Sequence, residues 1–350
     1  MPLIQADRLT KTASILLIAA GASEEEAEIV SRHSIGANLA GHDSHGIMQI
    51  PSYIDRVERG HIVPGAPFEI IQESDTTTVI NGNWGFGYAI SERAMKMTIE
   101  KAKKSNIAAT TIHKQSHVGR VGAYPCMAAA EGMIGMMTAD SGRSPKSVAP
   151  FGGAEARLGT NPICYAIPSN LDGAFFIDMA TSAVANGKVK LALARGQDIP
   201  EGWVIDKDGN PTTNPQDLYD GGVLLPLGGP EGHKGYGLSA MVEIFSGLLT
   251  GLGFGVEASG RHNDGVFMVA FKVEAFRSLE VFKAEVDGFA KYLKATRKQK
   301  GVDEIFYPGE LEHIRAIARS RDGIEIEDST IAKLMVVGEK YGVADKLQLD

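Results

Sequence analysis

The chain has little cysteine: two residues in 350, Cys126 and Cys164, too few for a disulfide framework. Read as small buried hydrophobes, they point to a reducing, cytoplasmic setting. It also has no run of the roughly 18 apolar residues that span a bilayer. The short stretch Ile15–Ala20 lies between Asp7, Arg8 and Lys11 on one side and Glu24–Glu26 on the other, with no cleavage pattern, so no signal peptide is expected. Basic charge is in deficit, with Lys plus Arg at 35 against 43 for Asp plus Glu, a net charge of −8 and a pI near 5.7. That balance opposes a phosphate backbone or an anionic membrane, and excludes nucleic acid and membrane as main partners. Missing too are a phosphate-binding P-loop, a serine nucleophile elbow, paired Cys-x-x-Cys sites and a complete G-x-G-x-x-G. A standard Rossmann dinucleotide domain is therefore not expected.

What remains is ordinary for a folded chain: 43% apolar and 22% charged residues. The length exceeds the roughly 250 to 300 residues at which one core stops growing, which argues for two lobes. Glycine is the excess, with 41 residues clustered at several places. Leu9–Ala20 has helical apolar spacing, and Ser23 with Glu26 forms a capping box for a second helix reaching about Leu39. From about Thr76 strands alternate with helices: Thr77–Ile80, Tyr88–Lys104, Ile107–Ile112, Val121–Glu131 and Met133–Thr138. Residues 145–230 read mostly as loops, with short strands at Cys164–Ile167 and Phe175–Asp178. Further on, helices are expected at Gly237–Leu249, Ser278–Thr296, Glu310–Arg319 and Ser329–Tyr341, and a strand at Gly265–Phe271. The expected architecture is an α/β domain over 76–304, with a smaller helical lobe built from 1–75 and 305–350.

Four polar clusters stand out. Gly41-His42-Asp43-Ser44-His45-Gly46 ends a helix and holds two imidazoles and a carboxylate; it suits acid/base work, a helix-capping turn, or a metal site. Ser116-His117-Val118-Gly119-Arg120 follows a strand, where ligands favour α/β sheets. Leu158-Gly159-Thr160-Asn161-Pro162 and then Asp178-Met179-Ala180-Thr181-Ser182 make a third; Asp178 reads either as a helix cap or as a ligand-facing carboxylate. Glu231-Gly232-His233-Lys234-Gly235 opens a helix, where free amides and Lys234 suit a phosphate, or forms only a flexible glycine loop.

Taken in order, these clusters resemble the malate/L-lactate dehydrogenase family, together with Ile50-Pro51-Ser52-Tyr53, Val148-Ala149-Pro150-Phe151-Gly152-Gly153 and Pro308-Gly309-Glu310. The resemblance covers essentially the whole chain, and its pattern looks closest to a broad-range hydroxycarboxylate dehydrogenase branch. It implies a non-Rossmann nucleotide-binding domain with a mixed sheet and flanking helices, NAD or NADP as cofactor, no metal, and a homodimer with its site near the interface. Members act on 2-hydroxy and 2-oxo acids, including malate, lactate, sulfolactate, ureidoglycolate, diketogulonate and cyclic imino acids; the branch favours apolar or aromatic tails. By resemblance His45 is the proton donor, with His117 taking that role in some members and Asp178 supporting the histidine. The substrate side falls on Ser44, Gln49, Tyr53 and Arg120. The nucleotide side falls on Ser141, Thr160, Asn161, Asp178, Met179, Ala180, Lys188, His233, Lys234, Gly235, Gly309 and Glu310.

Many members have arginine where this chain has Gln49, a position linked to the substrate carboxylate. Arg120 is the expected replacement, since a guanidinium grips a carboxylate with two hydrogen bonds. Two rivals remain beside the dehydrogenase: a metal-dependent hydrolase or lyase built on His42, Asp43 and His45, and a nucleotide sensor without catalysis. NAD and NADP both stay open, because no residue marks the ribose 2′ position.

Overall fold

The computed structural model describes residues 1–140, 146–256 and 261–349. The chain begins with a two-residue strand β1 (Leu3–Ile4), then α1 (Ala6–Ala19) and α2 (Glu24–Leu39). Leu9, Ala13, Leu16 and Leu17 recur at helical spacing and form the buried stripe of α1. The capping box forms as read: the Ser23 hydroxyl accepts from the Glu26 amide at 3.2 Å, and the Glu26 carboxylate accepts from the Ser23 amide at 3.0 Å. Two single 3₁₀ turns, Asp43–His45 and Ile47–Gln49, lead into α3 (Ile50–Glu58). Pro51 sits in its first turn, where no amide hydrogen is needed.

Next come β2 (Glu69–Glu73), β3 (Thr77–Asn81), α4 (Gly87–Ser105), β4 (Ile107–His113), α5 (Ala123–Ala130), β5 (Met133–Asp140), β6 (Ile163–Ile167) and β7 (Phe175–Met179). A smaller unit follows, with α6 (Asn186–Ala194) and three two-residue strands, β8 (Val204–Ile205), β9 (Pro211–Thr212) and β10 (Val223–Leu224). Then α7 (His233–Val242) runs on as a π-helical turn over Glu243–Leu248, followed by β11 (Gly265–Lys272) and α8 (Leu279–Lys294). The chain closes with α9 (Glu310–Asp322), β12 (Ile324–Glu325) and α10 (Asp328–Lys340).

Seven strands form one mixed sheet in the order β2-β3-β4-β11-β5-β6-β7. Only β3 and β4 pair in parallel; every other neighbouring pair is antiparallel. Register decides where the chemistry can collect. Val266 lies opposite Ile112, Gly265 opposite Asp140, and Ile163 opposite both Thr138 and Met179. The ends of β4, β5 and β7 and the starts of β6 and β11 therefore share one edge, and their connecting loops line it.

Ile80, Met95, Ile99, Ile112, Tyr124, Met137 and Met268 belong to one buried cluster between the sheet and helices α4 and α5. A second cluster joins Leu9, Leu16, Ile35, Ile50 and Tyr53 to Ile324 and Leu334, and includes Phe86 and Tyr88. Both chain ends thus share a core, and β1 pairs with β12 across it. Where sequence indicated mainly loops, Val148, Val184, Val189, Val204 and Leu224 close a third small core. The sheet starts at Glu69 rather than near Thr76, because all five residues of β2 are exposed and show no apolar alternation. Helix α7 starts at His233, four residues before the expected Gly237.

Candidate active site

Two glycines let the loop after β4 lie against the start of α4. A Cβ on Gly87 would come 2.1 Å from the Ser116 carbonyl, and one on Gly119, at φ +69°, would strike the Tyr88 ring at 2.2 Å. This close seat fixes His117. Its Nδ1 is 2.8 Å from the Tyr53 hydroxyl, which is 3.0 Å from that of Tyr88; Tyr88 in turn donates to the His45 carbonyl at 3.4 Å. Tyr53 is 1% exposed and meets His117 through its hydroxyl.

The His45 and His117 rings stack at 5.6 Å with 17° between planes. Ser44 Oγ is 3.0 Å from His45 Nδ1, and Gln49 Nε2 donates to the Ser44 carbonyl at 2.7 Å. The two imidazoles differ in basicity. Burial pushes His117 down to about 3, with His262, His45 and Arg56 adding to the effect and Asp264 opposing it. His45 also lies below its ordinary value, through burial first; Asp178 and Asp264 oppose the shift, and His42 and Arg120 add to it. At neutral pH His117 is a neutral hydrogen-bonding ring, while on His45 two carboxylates, Asp178 and Asp264, oppose the effect of burial.

Asp178, at the end of β7, accepts from the Gly122 amide at 2.7 Å and faces Arg120 Nε at 3.6 Å. The Arg120 guanidinium lies 5.0 Å over the Phe176 ring. Asp178 thus favours the His45 imidazolium through its charge, while its hydrogen bond holds the loop that carries Arg120.

His42 and Asp43 turn away from His45. Asp43 is gripped by Arg319 at 2.7 and 3.1 Å and by Asn38 Nδ2 at 2.7 Å, and His42 Nε2 is 3.6 Å from Glu312. The metal-centred alternative finds no support in this arrangement, because the Asp43 carboxylate is spent on α9. Among the described residues no group of three or more His, Cys, Asp or Glu side chains converges as a metal site.

Two groups at the site escaped sequence reasoning. His262 Nε2 is 2.7 Å from Asp264 Oδ1, and its ring meets His117 edge-on at 5.3 Å. Asp264 Oδ2 accepts from the Val118 amide at 3.0 Å. Burial alone would raise the Asp264 pKa, but His262, His117 and that amide outweigh it and hold the carboxyl well below its usual range. The only signal was a polar Arg-His-Asn-Asp run before an apolar strand. The insertion of β11 beside β4, more than 140 residues apart in sequence, is what makes the run matter.

The nucleotide-side positions separate into groups. Met179 ends β7 at the site edge and Ala180 follows it. Lys188 is exposed in the first turn of α6, and a Cβ on neighbouring Gly187 would come 3.8 Å from Ser44 Cβ, so that turn borders the His45 loop. His233 and Lys234 open α7, which no side chain caps, and are 54% and 71% exposed; Gly235 behind them is buried. Asn161 is buried and structural: its Nδ2 donates to the Ser239 carbonyl and to Glu243 at 3.0 Å each, while the Thr160 and Asn161 carbonyls accept from Thr181. Gly309 and Glu310 start α9 against Phe176, the ring that carries Arg120: a Cβ on Gly309 would come 2.7 Å from it. The Phe176 amide donates to Pro308, and Glu310 pairs with Lys294 and accepts from the Tyr307 amide at 3.0 Å. That places them beside Phe176, two residues or about 7 Å before Asp178 along β7. Ser141 lies outside the described residues.

The malate/L-lactate dehydrogenase family matches residues 4–335. A malate dehydrogenase of Pyrococcus horikoshii is 36% identical over 345 residues, 96% of this chain and 95% of the relative. Hydroxycarboxylate dehydrogenase B of Escherichia coli is 33% identical over 333 residues, 93% and 91% of the two chains. The crystal structure of malate dehydrogenase from Entamoeba histolytica superimposes with a TM-score of 0.93 at 35% identity, covering 98% of both chains. With a match along nearly its full length in sequence and in fold, this chain belongs to the malate/L-lactate dehydrogenase family.

Proposed function

We propose that the chain transfers a hydride between NAD(P)H and C2 of a 2-oxo acid, giving a 2-hydroxycarboxylate, with His45 as the proton donor. The observation that carries this reading is the stacked His45–His117 pair, two imidazoles in one site with different basicity. The residues present fit a dinucleotide: no side chain caps the start of α7, which presents exposed His233 and Lys234, and Lys188 stands at the start of α6 next to Ser44. When bound, the reduced nicotinamide supplies the hydride.

The chain's own residues do the rest. As the C2 carbonyl gains negative charge, His45 gives its proton to that oxygen and Ser44 steadies the imidazole through Nδ1. His117, kept neutral by burial, lends a hydrogen bond to the same oxygen, and Tyr53 holds its ring. Asp178 and Asp264 supply the negative charge that favours protonated His45 before transfer. On the substrate side Gln49 shapes the loop through the Ser44 carbonyl, while Arg120 stands beside His45 sharing its charge with Asp178.

The proposed division of the chain is a helical lobe over 1–75 and 305–350 and a nucleotide-binding domain over 76–304. A cytoplasmic homodimer is proposed with it. Support for the dimer comes from the exposed apolar face of α7 and its extension, Leu238, Met241, Ile244 and Leu248. Support for a reducing setting comes from the two free thiols, which burial keeps protonated.

The test is absorbance at 340 nm with NADH and then NADPH against pyruvate, phenylpyruvate, oxaloacetate and a cyclic imine. Turnover is expected with at least one acid, with kcat/KM for reduction falling as pH rises through the depressed His45 value. Dinucleotide binding without turnover across the panel and across pH would leave a nucleotide sensor instead.

A further inference from the structure

Helix α3 carries two arginines with different surroundings. Arg59 points outward and pairs with Asp55 one turn back, at 3.0 Å. Arg56 lies one turn beyond Tyr53, so the two share a helix face, and Tyr53 is the residue that holds His117. Arg56 Nη1 is buried without a hydrogen-bond partner, and no carboxylate among the described residues pairs with the guanidinium. A buried cationic nitrogen left without an acceptor is costly, and such a group is retained at ligand sites because the ligand completes it. Its charge already reaches the reacting groups, for it is among those that depress His117 and it opposes the rise of Tyr53.

The other candidates for holding a carboxylate are committed elsewhere. Gln49 is neutral and donates to the Ser44 carbonyl. Arg120 Nε is likewise buried without a hydrogen-bond partner, but its charge is balanced by Asp178 at 3.6 Å and its guanidinium lies over Phe176, whereas Arg56 has no counter-ion among the described residues. Arg319 is spent on Asp43. Gln49 closes the 3₁₀ turn just before α3, and Arg56 follows seven residues later within the helix.

We infer that Arg56 is the carboxylate anchor of the site: its guanidinium binds the C1 carboxylate of the substrate and sets C2 against the His45–His117 pair. This assignment rests on the dehydrogenase reading above and adds to it the residue that recognises the acid. A fixed donor fork suits a planar carboxylate, and one fixed end of a small acid leaves C2 little freedom to wander from the two rings.

The experiment uses the full chain, the 2-oxo acid it reduces best, and the matching 2-oxo amide, which keeps the ketone and lacks the charge. In Arg56→Met, KM for the acid rises on the order of a hundredfold. KM for the nucleotide stays within twofold, and kinetics with the amide change little. Arg56→Lys recovers part of the loss, because a point charge replaces the fork. An acid KM within twofold of wild type overturns the inference, as does equal damage to acid and amide, which marks a structural role. Acid-selective loss in Arg120→Met with none in Arg56→Met moves the anchor to Arg120.

If the wild-type chain reduces none of the acids, the dehydrogenase reading fails separately, and calorimetry with oxalate still tests Arg56. Oxalate binding lost in Arg56→Met supports the anchor. Equal binding in both proteins, or none to either, overturns it.

Discussion

Two histidines flank Tyr88, and their surroundings differ in kind. His33 meets the Tyr88 ring at 5.8 Å and stacks on Tyr124 at 5.2 Å, with its Nε2 2.6 Å from Glu92. Glu92 is 3% exposed and is also bound by Arg32 at 3.0 and 3.1 Å and by Lys96 at 2.7 Å. On the other side His117 meets Tyr88 edge-on at 6.5 Å and has only a tyrosine hydroxyl on Nδ1. Its nearest carboxylate, Asp264, is directed at His262 and a backbone amide. One histidine is tied to a saturated ionic cluster that joins α2 to α4. The other is held by a neutral hydroxyl and stacked on a second imidazole, free to face a reacting oxygen. A cavity of about 460 Å³ opens on the His33 side, lined in part by Arg32, Glu92 and Lys96. The cavity also takes in Arg120, so its lining does not separate the two histidines; the partner of each ring nitrogen does.

The sharpest way to break this contrast is to exchange losses. His45→Ala lowers kcat on the order of a hundredfold or more while the melting temperature holds, and His33→Ala leaves turnover per folded molecule near wild type. Comparable loss of kcat in both variants would erase the distinction. Glu92→Gln tests the structural side: breaking a buried ionic cluster costs about 3–5 kcal/mol in denaturant unfolding. Its partners hold the Glu92 carboxyl well below the ordinary value, led by the His33 hydrogen bond. Its contribution is therefore fully present above the unfolded-state pKa and is lost as pH falls through the folded one. The gap between wild type and Glu92→Gln stays level above about pH 5 and narrows below about pH 4.

Tyr53→Phe leaves His117 Nδ1 without its partner and lowers kcat/KM about tenfold, roughly 1.4 kcal/mol, in steady-state assays. Unchanged kinetics would mean that the tyrosine only fills space. The smallest effect is expected from Asp178→Asn, which removes a negative charge that raises His45. The pH at which kcat/KM for reduction declines moves down by up to about one unit, and an upward move would contradict the assigned sign.

Much of the scaffold was legible along the chain. The α1 stripe, the Ser23–Glu26 box and the apolar strands at 107–113, 133–140 and 265–272 declare themselves through local periodicity. Helix α6 and strand β2 were not legible: the first lies in a stretch dense in glycine and proline, and the second is exposed along its length. The motifs named His45, His117, Asp178 and Arg120, and the fold brings these four together. Glu310 also carried a motif signal, yet the structure gives it to Lys294 and its own turn. Arg56 carried no motif signal and Asp264 only a polar run before a strand, since each is an ordinary charged residue until neighbours from distant segments bury it.

The sequence by itself determined the kind of chain and the kind of chemistry. Periodicity and caps are local interactions, and clusters of histidine, glycine and carboxylate limit what a loop can do. Only the tertiary structure decided which imidazole is neutral, which carboxylate is spent and which guanidinium is left unpaired. Those properties depend on burial and on charges brought from β4, β7, β11, α3 and α9 to one edge of the sheet, and the energy of a charge is set by its neighbours in space.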